Sequence, residues 1–396
     1  MSFARYLLAG AAALAPAAAL AATPPADQNG RLILEARTRF ETLEQGDLNG
    51  QALTARARLG WETPTLAGFT GLIEAEGVGV LVDDYADGVD PRPGRAVIPD
   101  PEILELNRAQ ITWSASPAAE VTLGRQRIVL GNARFVGNSG WRQNEQTFDA
   151  ARFTVRPSAD ATLTYIYVDR VNRALGRDHP QGVWRGDIHL MQGDLKTSAG
   201  KLSAYAYLLD IGAAPAQSSA TYGLRLAGDR PVTAGLSVTW ELEYARQCDW
   251  GSSPTNFDLD YVLAAGGVKS ATTSLGLVYE RLDGDGRQGF QTPLASAHGF
   301  QGWSDVIGAT PPDGISDLYL RGGATLAWSR PVKIAGELHD FRNADGDRRL
   351  GREIDFSATV ALAKPVTLEA GVARFDSVGP SYPDATRTWL TLDYKY

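Results

Sequence analysis

Cysteine and methionine are nearly missing from this 396-residue chain: Cys248 stands alone, and Met1 and Met191 are the only methionines. A single cysteine excludes an internal disulfide, and Cys248 reads as an ordinary loop or strand residue without a catalytic role. Beyond the N-terminus there is no long uncharged apolar run, which excludes a bundle of transmembrane helices. A formal net charge of -8 argues against nucleic acid as a partner. Histidine is scarce as well: His179, His189, His298 and His339 fall on different expected elements without metal-ligand spacing. The chain has no G-x-S-x-G elbow, and Gly284-Asp285-Gly286 lacks the lysine and helix context of a phosphate loop. No metal and no cofactor are expected.

What the chain does have is an alternation of period two. In the stretch from Leu236 to Tyr244, Leu236, Val238, Trp240, Leu242 and Tyr244 share one face of an extended strand, and Ser237, Thr239, Glu241 and Glu243 share the other. A soluble sandwich turns such an apolar face toward its core, whereas a barrel in lipid turns it outward. The N-terminus favours the barrel. Met1 to Arg5 is a basic start, Tyr6 to Leu20 is an Ala/Leu run interrupted by Gly10 and Pro16, and Ala19-Leu20-Ala21 has the small-x-small pattern of a signal peptidase site. The expected organisation is a signal peptide over residues 1–21, a periplasmic tail over 22–30 and one outer-membrane barrel over 31–396.

The punctuation supports this. Short connections at Thr63-Pro64-Thr65, Ser116-Pro117-Ala118, Arg156-Pro157-Ser158, Thr197 to Gly200, Asp229-Arg230-Pro231, Val268-Lys269-Ser270, Ser329-Arg330-Pro331 and Ala363-Lys364-Pro365 alternate with longer ones. The longer ones cover 42–50, 77–101, 128–147, 169–186, 210–219, 246–256, 283–315, 341–351 and 375–385. Together they join eighteen antiparallel strands of about 9 to 12 residues, with long extracellular loops at one rim and short periplasmic turns and both termini at the other, as in a Gram-negative outer-membrane barrel. Trp61, Trp113, Tyr244, Trp328 and Tyr394, near strand ends, suit interfacial girdles in lipid and lipopolysaccharide. The last strand carries Leu390, Leu392, Tyr394 and Tyr396 on one face and resembles the signal read by the barrel-assembly machinery. Two strands fit less well. Asp187 to Lys196 alternates poorly, and Glu120 to Arg127 puts Val121 and Leu123 on the face of Arg125 and Arg127. Because arginine at the lipid midplane costs about 2–4 kcal/mol, both arginines are expected to point inward.

With apolar faces toward lipid, the polar faces line a lumen. The first third of the chain supplies Arg37, Arg39, Arg56, Arg58, Arg108, Arg125, Arg127 and Arg152; strands eleven to seventeen supply Glu241, Glu243, Asp258, Asp260, Glu280, Glu337, Asp355 and Glu369, with Arg321 as an exception. Strand order is wall position in a closed barrel, so a cationic arc is expected to face an anionic one. Arginines of the basic arc either grip a carboxylated solute or pair with neighbouring wall charges and stiffen the barrel. Two loops are unusually apolar: Ile128 to Thr147, with Arg134, Phe135, Trp141 and Arg142, and Gly289 to Asp305, with Phe290, His298, Phe300 and Trp303. They are expected to fold into or over the pore as constrictions, or else to pack on neighbouring loops or lipopolysaccharide.

The runs G-R-Q-R (Gly124 to Arg127), G-W-R-Q…T-F-D-A (Gly140 to Ala150), H-G-F-Q-G-W-S-D (His298 to Asp305), D-L-Y-L (Asp317 to Leu320), E-L-H-D-F-R (Glu337 to Arg342) and G-R-E-I-D (Gly351 to Asp355) together resemble the alginate export family of outer-membrane barrels. The resemblance implies an eighteen-stranded barrel whose arginine-rich conduit passes an anionic uronate polymer or oligosaccharide, with periplasmic export components as possible partners. The alternative is a porin for small organic anions or other nutrients. A hydrolase is a third class, for which Ser304 beside Asp305 and His298 is the one local group; nothing in its spacing activates a nucleophile, and no enzyme is expected. Asp340, Asn343, Asp345 and Asp347 lack the bidentate glutamate of a calcium loop and read as a solvated acidic turn.

Overall fold

The computed structural model describes residues 29–396; the expected signal peptide and most of the expected tail lie outside the described residues. Eighteen strands follow one another: β1 (Arg31–Gln45), β2 (Leu48–Glu62), β3 (Phe69–Asp84), β4 (Ile103–Ser116), β5 (Ala119–Gln126), β6 (Thr147–Val155), β7 (Ala161–Asn172), β8 (Val183–Thr197), β9 (Gly200–Ile211), β10 (Ser219–Thr233), β11 (Leu236–Asp249), β12 (Asp258–Lys269), β13 (Thr273–Leu282), β14 (Ile315–Leu326), β15 (Val332–Arg342), β16 (Arg349–Ala363), β17 (Val366–Ser377) and β18 (Ala385–Lys395). Each pairs antiparallel with its neighbours in sequence, and β1 pairs with both β2 and β18. The sheet is therefore closed. Closure is what lipid demands, because an open edge would leave backbone N–H and C=O groups without partners.

The outer face is apolar. Leu242, Leu275, Leu277, Leu318, Leu320, Ile354 and Phe356 are among many large side chains bared there, with Trp61, Trp113 and Trp328 outward as well. An apolar surface of that extent is stable against lipid, not water. No helix among the described residues is long and apolar enough to cross a membrane; the crossing is made by strands.

Connections sort by rim. The rim that holds the N-terminal start of β1 carries 63–68, 117–118, 156–160, 198–199, 234–235, 270–272, 327–331 and 364–365. The other rim carries the long loops L2 (85–102), L3 (127–146), L4 (173–182) and L7 (283–314), with shorter links between. One expected long loop is instead a two-residue hairpin at Gly46 and Asp47, with Gly46 at φ +57°. Several strands exceed the expected length, up to 16 residues in β3, because backbone pairing continues past the lipid once a neighbour is in register.

Two strands, β12 and β5, depart from the expected facing, and β8, whose alternation is poor, takes its facing from its packing. In β8, Trp184, Ile188, Leu190 and Gln192 are buried inside, while Arg185, Asp187 and Met191 are exposed. In β12, Leu259, Tyr261 and Leu263 point inward; Asp258 therefore lies outside, where it pairs with Arg246, and Asp260 lies outside with it, bonded by Tyr244. The cause is shared. The lumen on this side holds a second core, in which Ile166, Val168, Tyr205, Tyr207 and Leu209 pack with Phe135 of L3 and with Phe290 and Leu294 of L7. An apolar inner wall then meets apolar loops, and the polar residues above the lipid turn out. In β5, Arg125 shares the face of Val121 and exposed Leu123, outside rather than in the lumen, and its Nε donates to Asp149 at 2.6 Å. It is the penultimate residue of its strand at the long-loop rim, so it avoids the lipid midplane.

Replacing Leu320, in the middle of outward-facing β14, by arginine is expected to lower stability by about 2–4 kcal/mol, against less than about 1 kcal/mol for Leu66→Arg in a rim turn. Urea unfolding in lipid vesicles reads both; equal costs would contradict the assigned lipid belt.

Candidate functional site: a vestibule over an arginine clamp

L3 is drawn into the barrel by guanidinium groups. Arg37 donates Nη1 to the carbonyls of Gly140 (3.1 Å), Trp141 (3.1 Å) and Arg142 (3.3 Å), and its Nε to Asp393 (2.8 Å). Arg39, two residues on and hence on the same face, donates to the Trp141 carbonyl at 2.7 Å and lies 4.1 Å over the indole ring. Arg56 reaches the Gln143 carbonyl at 3.3 Å, and the backbone N–H of Gln143 donates to Asp100 in L2 at 2.8 Å. A fork of five donors with no acceptor suits a set of converging carbonyls.

Beneath this layer the charges are matched. Arg58 bonds Glu76, and it stands 3.3 Å from Glu35 and 3.6 Å from Glu145. Arg127 meets Glu145 at 2.5 Å, Arg108 meets Glu74 at 2.6 Å, and Asn107 donates to both glutamates at 2.7 Å. Burial alone would raise the Glu145 carboxyl, but Arg58 and Arg127 outweigh it and hold the group at about 2. The basic arc is thus no free cationic wall; carboxylates of the same arc satisfy it.

A second knot joins L3 to L7. Arg142 bonds Glu41 (3.3 Å) and Asp305 (2.9 Å); Arg387 on β18 bonds Glu41 as well, and its Nε donates to the Ser304 carbonyl at 3.1 Å. The His298 ring stacks on Trp141 with centroids 3.5 Å apart, and its Nδ1 lies 3.0 Å from Asp305. Burial lowers the His298 imidazole despite Asp305, so at neutral pH the uncharged ring donates Nδ1–H. Against burial, His298, Arg387 and Arg142 hold the Asp305 carboxyl below the usual range. Trp389 meets Trp141 edge-on at 5.9 Å and Trp303 at 6.1 Å, its indole lying over Gly371, where a Cβ would come within 2.1 Å of the ring. Arg134 closes the other side: its Nε donates to Glu280 at 2.8 Å, and its guanidinium sits 4.7 Å over Phe300.

Above these contacts lies a cavity of about 1310 Å³ among L2, L3, L4 and L7. Its charged lining consists of Arg134, Arg142, Arg173, Arg287 and Arg387 against Asp305, with His298 neutral; Trp141, Trp184, Phe290 and Phe300 supply apolar wall. Arg173 lies 3.9 Å over the Trp184 ring and makes no ion pair among the described residues. Burial pulls it down to about 10, which leaves it charged at neutral pH.

Of the arginines read as pore-lining, Arg37, Arg39, Arg56, Arg58, Arg108 and Arg127 converge on L3 or the carboxylates beneath it, and Arg152 points inward with its Nε unpartnered. Arg321 lies on the inner face, exposed and without an ion pair among the described residues. Glu241 and Glu243 face Arg225 at 2.8 and 3.6 Å. Trp141, Arg142, His298 and Asp305 come together, Phe300 stacks on Arg134, and Trp303 stands behind at Trp389. Arg125 and Asp258 belong to the outer surface. Sequence reading did not single out Glu41, Asp100, Glu145, Arg173 or Arg387. Glu145 had a signal, as a lone carboxylate within an apolar loop, and Arg387 had one in its alternation with Trp389 and Thr391 on β18, whereas Arg173 reaches the cavity only through the fold of L4. Ser304 donates its Oγ to Glu353 at 2.5 Å and not to His298, so no activated hydroxyl is formed. Asp340 pairs with Arg342 and Arg349 at 2.9 and 2.6 Å, which accounts for the acidic turn without calcium.

A closed barrel with an apolar belt and inward-folded loops is an outer-membrane protein of the porin type. No family model matches the chain, and no curated protein matches it. Solved structures do. Acinetobacter baumannii OccAB4 is 13% identical, with 93% of this chain and 98% of that one covered at a TM-score of 0.72. Pseudomonas aeruginosa OccK9 (OpdG) is 15% identical over 93% and 98%, at 0.71, and Pseudomonas aeruginosa OpdK, solved with vanillate, is 13% identical over 92% and 98%, at 0.72. At these identities the likeness is one of fold. It corrects the resemblance to the alginate export family, since the matched structures are Occ and Opd proteins. Three of the six runs that carried the resemblance hold loop-anchoring residues, in which Arg127 holds Glu145, Trp141 and Arg142 form the clamp, and Asp305 ties L7 to it; the other three lie within β14, β15 and β16.

Glu41 is fully buried between two arginines, so Glu41→Gln is expected to destabilise the barrel by about 3–5 kcal/mol, as for breaking a buried pair. Glu62→Gln, which removes the exposed Arg31 pair, is expected to cost less than about 1 kcal/mol. Denaturant midpoints in detergent compare the two, and equal small effects would contradict the clamp.

Proposed function

We propose that this protein is a passive outer-membrane channel for small organic anions, with apolar or aromatic carboxylates as its preferred class. The observation that carries the reading is the vestibule lining, in which Arg173 stands on the Trp184 ring without an ion pair among the described residues, beside the paired Arg134, Arg142, Arg287 and Arg387 and four aromatic rings, in a chain whose formal net charge is -8. Charge at the entry, not overall charge, sets which solute is concentrated there. Guanidinium groups recognise carboxylates in a planar, bidentate manner, and aromatic walls add contact area for a ring. A cavity of about 1310 Å³ exceeds the roughly 300–1,000 Å³ of a small-molecule pocket, which suits an antechamber that gathers solutes above a narrower passage. OpdK, of like fold, was solved with vanillate, a small aromatic carboxylate, and this supports the same solute class here. In this reading residues 1–21 serve as the export signal and 22–30 as a periplasmic tail.

Reversal potentials in a salt gradient across a planar bilayer test the reading. Anion preference is expected, with concentration-dependent block by benzoate-type carboxylates, and Arg173→Ala is expected to weaken that block roughly 10–100-fold, the loss of one charge-assisted contact. Cation preference with no carboxylate block would overturn it.

A further inference from the structure

The acidic wall of β14 to β16 lacks the matching seen elsewhere. Asp317, Glu337, Glu353 and Asp355 converge around His339, and among the described residues none of the four has a lysine or arginine within ion-pair distance. Glu353 is occupied, accepting from the Ser304 N–H at 2.7 Å and its hydroxyl at 2.5 Å. Asp355 is 2% exposed, yet neither of its carboxylate oxygens accepts a hydrogen bond. A buried carboxylate left in that state is costly, so the site is short of positive charge.

The geometry suggests what supplies it. Glu337 and His339 are two residues apart on β15 and share its inner face, and Asp355 lies opposite Glu337 in the β15–β16 register. Stacking of the His339 ring on Tyr319 (4.5 Å) and Phe341 (5.2 Å) fixes its plane. Its Nδ1 lies 2.9 Å from Asp317 Oδ2 and its Nε2 3.2 Å from Glu337 and 3.4 Å from Asp355; with the single proton of a neutral ring held on Nδ1 by Asp317, Nε2 is the atom free to ligate. A carboxylate on the far nitrogen is the usual support of a metal-bound imidazole. Ligand atoms of all three residues lie within 4.8 Å of one another. Zinc bonded at 2.0–2.2 Å in tetrahedral geometry sets its ligand atoms about 3.4 Å apart, close to the 3.2 and 3.4 Å that separate Nε2 from the two carboxylates. An imidazolium at the centre would bring one positive charge to four carboxylates; a dication brings two and leaves the imidazole neutral.

We propose that Glu337, His339 and Asp355 bind a divalent transition-metal ion of the zinc type, with Asp317 orienting the imidazole and a fourth position open to the lumen beside the partly exposed Glu337. One imidazole with carboxylates favours zinc over calcium or magnesium, which take all-oxygen shells. The set escapes spacing rules because two ligands sit on one strand face and the third on its neighbour.

The test is equilibrium dialysis of the full protein, purified in detergent and stripped with chelator, against low-micromolar zinc chloride. One equivalent retained is the expected result. Asp317→Asn is expected to weaken retention roughly 10–100-fold, His339→Gln and Asp355→Asn at least as much, and His189→Gln, at a half-buried histidine of the outer face, not at all. No zinc retained by the wild type, or wild-type retention by both His339→Gln and Asp355→Asn, overturns the proposal. Ring nitrogen resonances of the wild type give a readout independent of any variant: zinc is expected to shift one of the four histidines, and an unchanged spectrum overturns the site.

Discussion

A guanidinium taken out of water must find carboxylates or carbonyls, and most of the architecture inside this barrel follows from that requirement. Arg37, Arg39 and Arg56 are held on the inner wall by strand alternation, where they cannot escape to solvent without breaking register. The carbonyls of residues 140–143 meet them, and L3 is thereby pinned across the lumen. Once L3 is down, Arg142 faces Glu41 and Asp305, L7 follows, and the apolar residues of both loops are pressed against the far wall. Each buried ion in this chain of contacts costs several kcal/mol to desolvate; pairing offsets that cost and makes the loop position specific.

The far wall shows the consequence. Phe135 and Phe290 occupy space that water would fill in an open pore, and Tyr205, Tyr207 and Tyr261 turn inward to meet them. Lipid outside and loops inside both accept apolar side chains, so alternation alone no longer states which face is which. This is why the strand count, the closure and the sorting of loops by rim were legible in the sequence, while β8 and β12 were not. Period two reports two faces; only the tertiary position of L3 and L7 reports that Leu259 points in and Asp258 out. Arg125 was misplaced for a related reason: the cost of arginine in lipid applies at the midplane, and the strand's position along the barrel axis is not written in its alternation.

The same distinction governs charge. Reading Arg37 to Arg58 as a cationic surface overlooked Glu74, Glu76 and Glu145, which the wall and L3 bring within reach of the same guanidiniums. The unmatched positive charge lies higher, in the vestibule, where Arg173 makes no ion pair among the described residues and meets Arg287 and Arg387, themselves paired with Asp285 and Glu41, from positions far apart in sequence. No local pattern announces such a convergence, although the apolar character of L3 and L7 marked the loops that create it. His339 and Asp355 present the opposite case, a cluster on adjacent strands whose charges remain unmatched after folding.

The central claim, that L3 pinned by arginine is the restriction in this channel, is tested most directly by single-channel conductance of the wild type and of a chain in which residues 129–145 are replaced by a short Gly-Ser linker. The account predicts a several-fold rise in open-channel current together with loss of carboxylate block. Unchanged conductance from a shortened chain that still folds as a heat-modifiable barrel would contradict it.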